Sequence, residues 1–538
     1  MNIKKFIPLI VAASIVAGVF IGFFYSNGRD VRTGFIGNQS NKIDALLNII
    51  DNQYVDTVNV ADIVEQAMPQ ILSELDPHST YISAKDRQAA NEELEGSFCG
   101  IGVQFLPSND TIHVMRVIPG GPSDKVGIIA GDRIIAVDDS TIVGADDALV
   151  MKKLKGPRDT KVKVTVLRQA SGEQIDFTIL RGDIPLKSVD ACYMLTDKTG
   201  YMKINTFSLS TYEEMLSGIA RLKYQNCQGI IIDLRDNLGG VLEIAIKMIN
   251  EFLPQGRLIV YTEGRKSPRQ DYYSDGHGTC QGMPVAVLIN EASASASEIF
   301  SGAIQDNDRG TVIGLRSFGK GLVQQPIELN DGSEVRLTIA RYFTPSGRCI
   351  QRSYTHGQND DYNLDILKRY EHGELFSKDS ISTDSLPSYE TAGGRTVYGG
   401  GGIIPDIFIP QDTTGYTSYL RQLNIEGLFS KFAFEFTDGN RATLAAIGNE
   451  DDLAAYLDRH NVVEQFIRYA DKHGVKRRNL LIQKSYTLIK RFLYASIIYD
   501  RFDIEEYIKY TNQTDKTVQR AVEVIEKYGA DPFKLPGD

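Results

Sequence analysis

Two short apolar runs, each passing through a loop of small residues into a helical pattern, constrain this chain more than any other feature. Gly229–Ile230–Ile231–Ile232–Asp233 reads as a buried strand. A glycine-containing turn follows it, then a helix carrying Leu242, Ala245, Ile249 and Phe252, stopped by Pro254. Val285 to Ile289 reads as a second buried strand, leading through Ser293–Ala294–Ser295–Ala296–Ser297 into a helix with Ile299 and Ile304. Strand–loop–helix units of this kind build an α/β layer, and the texture persists from about residue 183 to 410.

At 538 residues the chain exceeds one ordinary domain. Residues 40–95 are helical in pattern, with Ile43, Leu46, Leu47 and Ile50 on one face and a second stretch from Ile63 to Leu75 that ends at Asp76–Pro77–His78–Ser79. From 96 to 182 short β-rich runs alternate with glycines, which predicts a small β-rich domain. From 411 to 538 the pattern is helical; Ile482, Tyr486, Ile489, Leu493 and Ile497 form one stripe, and a last helix ends near Gly529. The expected fold class is therefore multidomain α/β, with a β-rich module before the core and an all-helical region after it.

The first 26 residues are read apart. Lys4 and Lys5 precede an uncharged apolar run from Phe6 to Tyr25, long enough for a bilayer core of roughly 30 Å. Phe23–Phe24–Tyr25–Ser26 is a poor cleavage site, so the expectation is a retained transmembrane helix rather than a removed signal. The remainder is then exported, which places it in the cell envelope, on the periplasmic or extracytoplasmic side. The net charge of −11 argues against nucleic acid as a partner. Five scattered cysteines without CxxC spacing offer neither a zinc knuckle nor a disulfide framework, and no metal or cofactor is expected.

Three segments carry chemistry. Ser293–Ala294–Ser295–Ala296–Ser297–Glu298 stands between a strand and a helix, where small neighbours admit a substrate backbone and the helix N-terminus favours negative charge. Taken alone, it also reads as an N-cap serine with Glu three residues on, a capping box. Ser317–Phe318–Gly319–Lys320–Gly321 follows, then Gln324. A serine hydroxyl needs a base, and a buried lysine with a lowered pKa can serve. Gln324 can hold that amine through its carbonyl without adding charge. Asp233–Leu234–Arg235–Asp236–Asn237–Leu238–Gly239–Gly240 can offer backbone N–H groups to an oxyanion, or be a tight turn braced by Asp233 and Arg235.

Together these segments closely resemble the signature of the carboxyl-terminal processing peptidases, also called tail-specific proteases. The resemblance runs from Asn290 to Gln324 and implies that Ser295 is the nucleophile, Lys320 the base and Gln324 its positioner. It further implies an oxyanion hole from Gly239 or Gly240 with Ala296, and supporting roles for Glu298 and Asp306. Leu75–Asp76–Pro77–His78–Ser79–Thr80–Tyr81 looks like the family's N-terminal motif, and Gly401–Gly402–Ile403–Ile404–Pro405–Asp406 like its closing motif. Gly100–Ile101–Gly102–Val103 resembles the carboxylate-binding loop of a PDZ domain. Coverage is about 40 to 410; Leu238 stands where the family usually has Pro, and Cys99 where it often has Gly. The resemblance implies a crotonase/ClpP-like α/β peptidase core, an acyl-enzyme route without cofactor, and substrates recognised by exposed C-termini. It leaves room for a homo-oligomer or an adaptor protein.

Gly314 to Lys320 fits GxxxxGK, but Gly321 and a strand-like run follow where a nucleotide-binding loop needs Ser or Thr and a helix. There is no GxSxG elbow and no HExxH, and of seven histidines only His277 falls near a strand end in the core. The remaining alternatives are a catalytically latent PDZ scaffold needing a partner protein, and an acyl-transfer or isomerase enzyme of the crotonase type.

Overall fold

The structure, a computed structural model, describes residues 42–108, 111–168, 171–357, 362 and 364–535. The expected transmembrane segment, 1–26, lies outside the described residues. Among the described residues no helix is long and apolar enough to cross a membrane. The chain divides into two compact units, Met1–Ile71 and Leu72–Asp538. In the first, the helix Lys42–Gln53 forms as its periodicity predicts, yet none of its residues is buried.

The centre of the second unit is a six-stranded sheet in the order Val189–Met194, Thr199–Ile204, Gly229–Asp233, Val285–Ile289, Thr311–Gly314, Ile407–Phe408. The first pair is antiparallel and the rest are parallel. Parallel strands need cover on both faces, which is why two of them read as unbroken apolar runs. Ile230, Ile232, Val285, Val287 and Ile289 pack into one core with helices Thr211–Tyr224, Leu242–Asn250 and Ala296–Asp306. Ile231, Ala286 and Leu288 face the other way, against Val518, Ala521, Val524 and Ile525 of the helix Lys516–Tyr528. That helix ends at Gly529, whose φ of 65° is the left-handed cap the sequence marks.

The region after 411 is thus not one packed body. Residues from Tyr419 to Ile498 close their own core, whereas the last helix belongs to the central sheet. In the helix Asn479–Arg501 the buried stripe passes through Ser485, and Tyr486, expected on it, is 48% exposed. A shift of one position carries a residue about 100° round a helix, enough to move it off the buried face.

The β-rich module is a sheet in the order Val103–Ser108, Thr111–Val117, Asp132–Val137, Lys161–Arg168, Glu173–Leu180. Val162, Val164 and Val166 point inward at every second position. The short antiparallel pair Ser97–Gly100 and Gly182–Pro185 carries the chain in and out. The module touches the helical region: His113 packs edge-on to Phe434 at 5.0 Å, and Arg116 donates to the Tyr499 carbonyl at 3.0 Å. A cavity of about 140 Å³ lies there, lined by Met115, Phe434, Thr437 and Asp500 among others. Asp500 Oδ2 is buried without a hydrogen-bond partner among the described residues. Burial pushes the Asp500 pKa up to about 7, against the pull of Arg116.

A second sheet, Thr80–Ile82, Glu334–Phe343, Leu258–Glu263 and Gln270–Tyr273, has Leu322–Glu328 on the remaining edge of Glu334–Phe343. It sets the segment around Lys320 beside the helix that starts at Ala296.

Candidate active site

Every residue from Ser293 to Asp306 is buried except Ser295. Its φ of 55° and ψ of −113° lie outside the regions a serine ordinarily occupies. Such a conformation costs on the order of 1–3 kcal/mol and persists only when its surroundings impose it. Here the Asp233–Gly240 turn does so. Ser293 Oγ donates to the Leu234 carbonyl at 2.8 Å, and the Asn237 carbonyl accepts from the Ala294 N–H at 3.0 Å and Ser297 Oγ at 2.9 Å. Gly239 presses against the same turn: a Cβ there would stand 2.7 Å from Ser295 Cβ and 2.9 Å from the Ala296 nitrogen. At Gly240 a Cβ would stand 2.3 Å from the Phe207 carbonyl oxygen, so both positions require glycine. The Gly239 N–H donates to Asn237 Oδ1 at 2.8 Å, which leaves Gly240 as the amide of the pair with no acceptor among the described residues.

Glu298 does more than cap a helix. Its Oε2 accepts the Ser295 N–H at 2.9 Å, the capping bond, and also the Lys320 N–H at 2.8 Å. Its Oε1 accepts Ser317 Oγ at 2.5 Å and the Gly319 N–H at 2.7 Å. Burial is complete and pushes the Glu298 pKa up to about 7, while these four donors favour the anion. The Lys320 loop is pinned elsewhere too: Ile403 N–H donates to Ser317 Oγ at 2.6 Å, Gly321 N–H to Gln351 Oε1 at 2.7 Å, and Arg369 to the Ser317 carbonyl at 2.7 Å. Gly319, with φ of 93°, makes the turn.

Burial lowers the Lys320 pKa; the Glu298 charge raises it, Arg336 lowers it and Asp76 raises it again. Gln324 lies on the strand Leu322–Glu328, and its Nε2 donates to Thr338 Oγ1 at 3.3 Å. Among the described residues no hydrogen bond joins Gln324 to the Lys320 amine. Tyr342 is 2% exposed, and its hydroxyl has no partner of good geometry among the described residues. Burial raises its pKa well above the usual phenol range, and the Ser295 side chain is among the groups acting on it. Sequence reasoning did not single out Tyr342, since nothing but its inward position on Glu334–Phe343 marks it.

Other residues named from the sequence are placed apart from this cluster. Asp233 is buried and bonded to Arg235 Nη2 at 2.5 Å and Tyr201 at 2.7 Å. Burial opposes its ionisation, but the Arg235 and Lys203 charges hold its carboxyl well below the usual range. Arg235 also reaches Asp515, at the start of the last helix, at 2.8 Å. Asp306 sits at the opposite end of its helix from Ser295, roughly 15 Å away by helical rise. There it pairs with the fully buried Arg348 at 2.7 Å. The Gly100–Ile101–Gly102–Val103 loop belongs to the β-rich module, with Gly102 at φ 76° and Ser123 N–H donating to the Ile101 carbonyl at 2.9 Å.

Residues 198–363 match the model of peptidase family S41, residues 99–180 that of the PDZ domain, and residues 419–503 a family of unknown function. A carboxy-terminal-processing protease of Bartonella bacilliformis is 35% identical over 307 residues, covering 56% of this chain and 70% of that protein. A probable CtpA-like serine protease of Staphylococcus aureus strain N315 is 31% identical over 371 residues, covering 68% of this chain and 73% of that protein. Among solved structures, a photosystem II D1 C-terminal processing protease is 26% identical, covering 57% of this chain and 89% of that one, with a TM-score of 0.33.

Proposed function

The chain belongs to peptidase family S41, the carboxy-terminal processing serine proteases, and on that premise we propose that it is an exported endopeptidase working through a Ser295–Lys320 dyad. Lys320, as a neutral amine, takes the proton of Ser295 Oγ while the oxygen attacks the scissile carbonyl carbon. The ammonium then gives that proton to the leaving amine, and an ester on Ser295 remains. Neutral again, Lys320 takes a proton from water as it attacks the ester carbonyl carbon, and returns that proton to Ser295 Oγ as the acid leaves. The Ala296 amide and an amide of the Gly239–Gly240 pair face the oxyanion, Gly240 being the one not engaged by Asn237. The role of holding the amine falls to Gln324 by the family resemblance, its side chain being bonded here to Thr338.

The observation that carries this reading is the Glu298 Oε2, which stands 2.9 Å from the Ser295 nitrogen and 2.8 Å from the Lys320 nitrogen. One carboxylate oxygen fixes the backbone of nucleophile and base alike. The lowered pKa of Lys320 supports the base role, since desolvation favours the neutral amine.

The PDZ module supplies the tail. Val103–Ser108 is an edge strand, open to strand addition by an extended C-terminus. The Gly100–Ile101–Gly102–Val103 loop then offers its amides to the terminal carboxylate. The Phe6–Tyr25 run tethers the protein to the membrane, with the catalytic part on the exported side. The test is degradation of an unstructured protein with an apolar tail by the full chain in detergent, beside Ser295→Ala. Cleavage by the parent alone is expected; turnover by Ser295→Ala overturns the dyad.

A further inference from the structure

Asp76 lies in the turn before the short strand Thr80–Ile82, on one edge of the strand Glu334–Phe343. It is 5% exposed and surrounded by donors. Its Oδ1 accepts the N–H groups of His78 and Ser79, both at 2.9 Å, and the Thr338 hydroxyl at 3.0 Å; its Oδ2 accepts the Ser79 hydroxyl at 2.6 Å. Ser79 Oγ in turn accepts the Thr338 N–H at 3.1 Å. Burial opposes ionisation of Asp76, but these bonds outweigh it and lower its pKa, so the group is an anion.

Across the same strand, Gln324 stands opposite Thr338 in the ladder, just after a bulge between Val323 and Gln324 that sets the direction of its side chain. The Thr338 hydroxyl therefore accepts from Gln324 and donates to Asp76. Lys320 precedes this strand at its head. The charges that act on its amine are those of Glu298 from the helix Ala296–Asp306, Arg336 from the strand that holds Thr338, and Asp76. His78 is close as well; burial first, and the Lys320 charge next, lower its pKa to about 4, so it is neutral at physiological pH.

We propose that Asp76 is a positioning residue for the reaction: through Thr338 it fixes the Gln324 amide on the strand that follows the base, and its charge stabilises the ammonium that forms on Lys320 when Ser295 gives up its proton. The inference rests on Lys320 being that base. Moving a proton from a hydroxyl to an amine creates a cation in a largely dry site, and a fixed anion nearby lowers the cost of doing so. The two backbone bonds to His78 and Ser79 alone would suit a carboxylate that merely shapes its turn. The bond to the Thr338 hydroxyl, 262 positions away, serves no turn.

Asp76→Asn keeps the size of the side chain and an accepting oxygen while removing the charge. The experiment follows kcat, KM and the rate of labelling by a fluorophosphonate across pH, in the full chain, for Asp76→Asn and Thr338→Val. For Asp76→Asn the expected result is a plateau rate about tenfold lower. Its rising limb should also move to lower pH, because a lost negative charge lowers the amine's pKa, with KM unchanged. Thr338→Val, which cuts the relay but keeps the volume, should lower kcat and leave KM alone. A fall in thermal stability with kcat and limb unmoved in either variant overturns the role. If Asp76→Asn does not fold, parental kcat in Thr338→Val is sufficient to overturn it. Activity in Lys320→Ala removes the base and this inference together. An inactive Lys320→Ala beside a parental Asp76→Asn removes the positioning role alone.

Discussion

Glu298 and Lys320 are joined through the backbone, the carboxylate accepting the Lys320 N–H at 2.8 Å across 22 positions of sequence. Because Glu298 also holds the Ser295 N–H, the Ser317 hydroxyl and the Gly319 N–H, it accepts from four donors. Glu298→Gln turns an NH2 group towards donors and strands two of them in a buried site. Stability should fall by roughly 2–4 kcal/mol, and kcat by about tenfold or more as the two catalytic segments lose their common anchor. Thermal unfolding and steady-state kinetics on the same preparation check both effects.

Activity should rise with pH. The neutral amine of Lys320 is the working form, and burial lowers its pKa from the ordinary 10.5. The rising limb therefore has its midpoint below that value, with full activity above it and loss as the amine takes up a proton. Lys320→Arg should be inactive at every pH, because a guanidinium does not deprotonate in this range. A profile flat from pH 6 to 10 points to another base.

Gly239→Ala should abolish turnover in a protein that still folds. The added methyl would stand 2.7 Å from Ser295 Cβ, and the backbone, at φ 105°, disfavours any L side chain. Either relaxation moves the turn that imposes the unusual conformation of Ser295. Circular dichroism like the parent's, with no fluorophosphonate labelling, is the expected pair of results.

Asp500 should make stability fall between about pH 4 and 7. Its pKa is raised in the folded protein to about 7, so the native state binds the proton more tightly than the unfolded chain. Stability from this group is complete below the unfolded value and is lost as pH rises through the folded one. Asp500→Asn should remove that slope and be more stable than the parent at pH 8, on the order of 2 kcal/mol. Denaturant titrations at pH 5 and 8 decide it.

What the sequence revealed was what is local. Gly229–Asp233 and Val285–Ile289 are legible as strands because burial on both faces leaves no polar residue between their ends, and Gly529 is legible as a helix stop. Ser295, Lys320 and Gln324 were selected by a resemblance, since each alone has an ordinary reading. Glu298 shows why: its capping bond to Ser295 is visible in the spacing, but its bond to Lys320 depends on how a distant loop folds back. Thr338 gave no signal at all, being one threonine on a strand. The stretch from 411 reads as helical from its pattern, yet Lys516–Tyr528 pairs its apolar face with strands far upstream, which periodicity cannot reveal.

That last pairing bears on when the enzyme comes into being. Ile231 and Val518 share one core although more than half the chain separates them. At about 5–20 residues per second, a ribosome needs roughly 15 to 60 s to travel between the strand Gly229–Asp233 and the helix Lys516–Tyr528. For that interval Ile231, Ala286 and Leu288 lack Val518, Ala521, Val524 and Ile525, which cover them in the folded protein. Synthesis itself then acts as a timer, and a nascent chain closes this core only once Lys516–Tyr528 has been made.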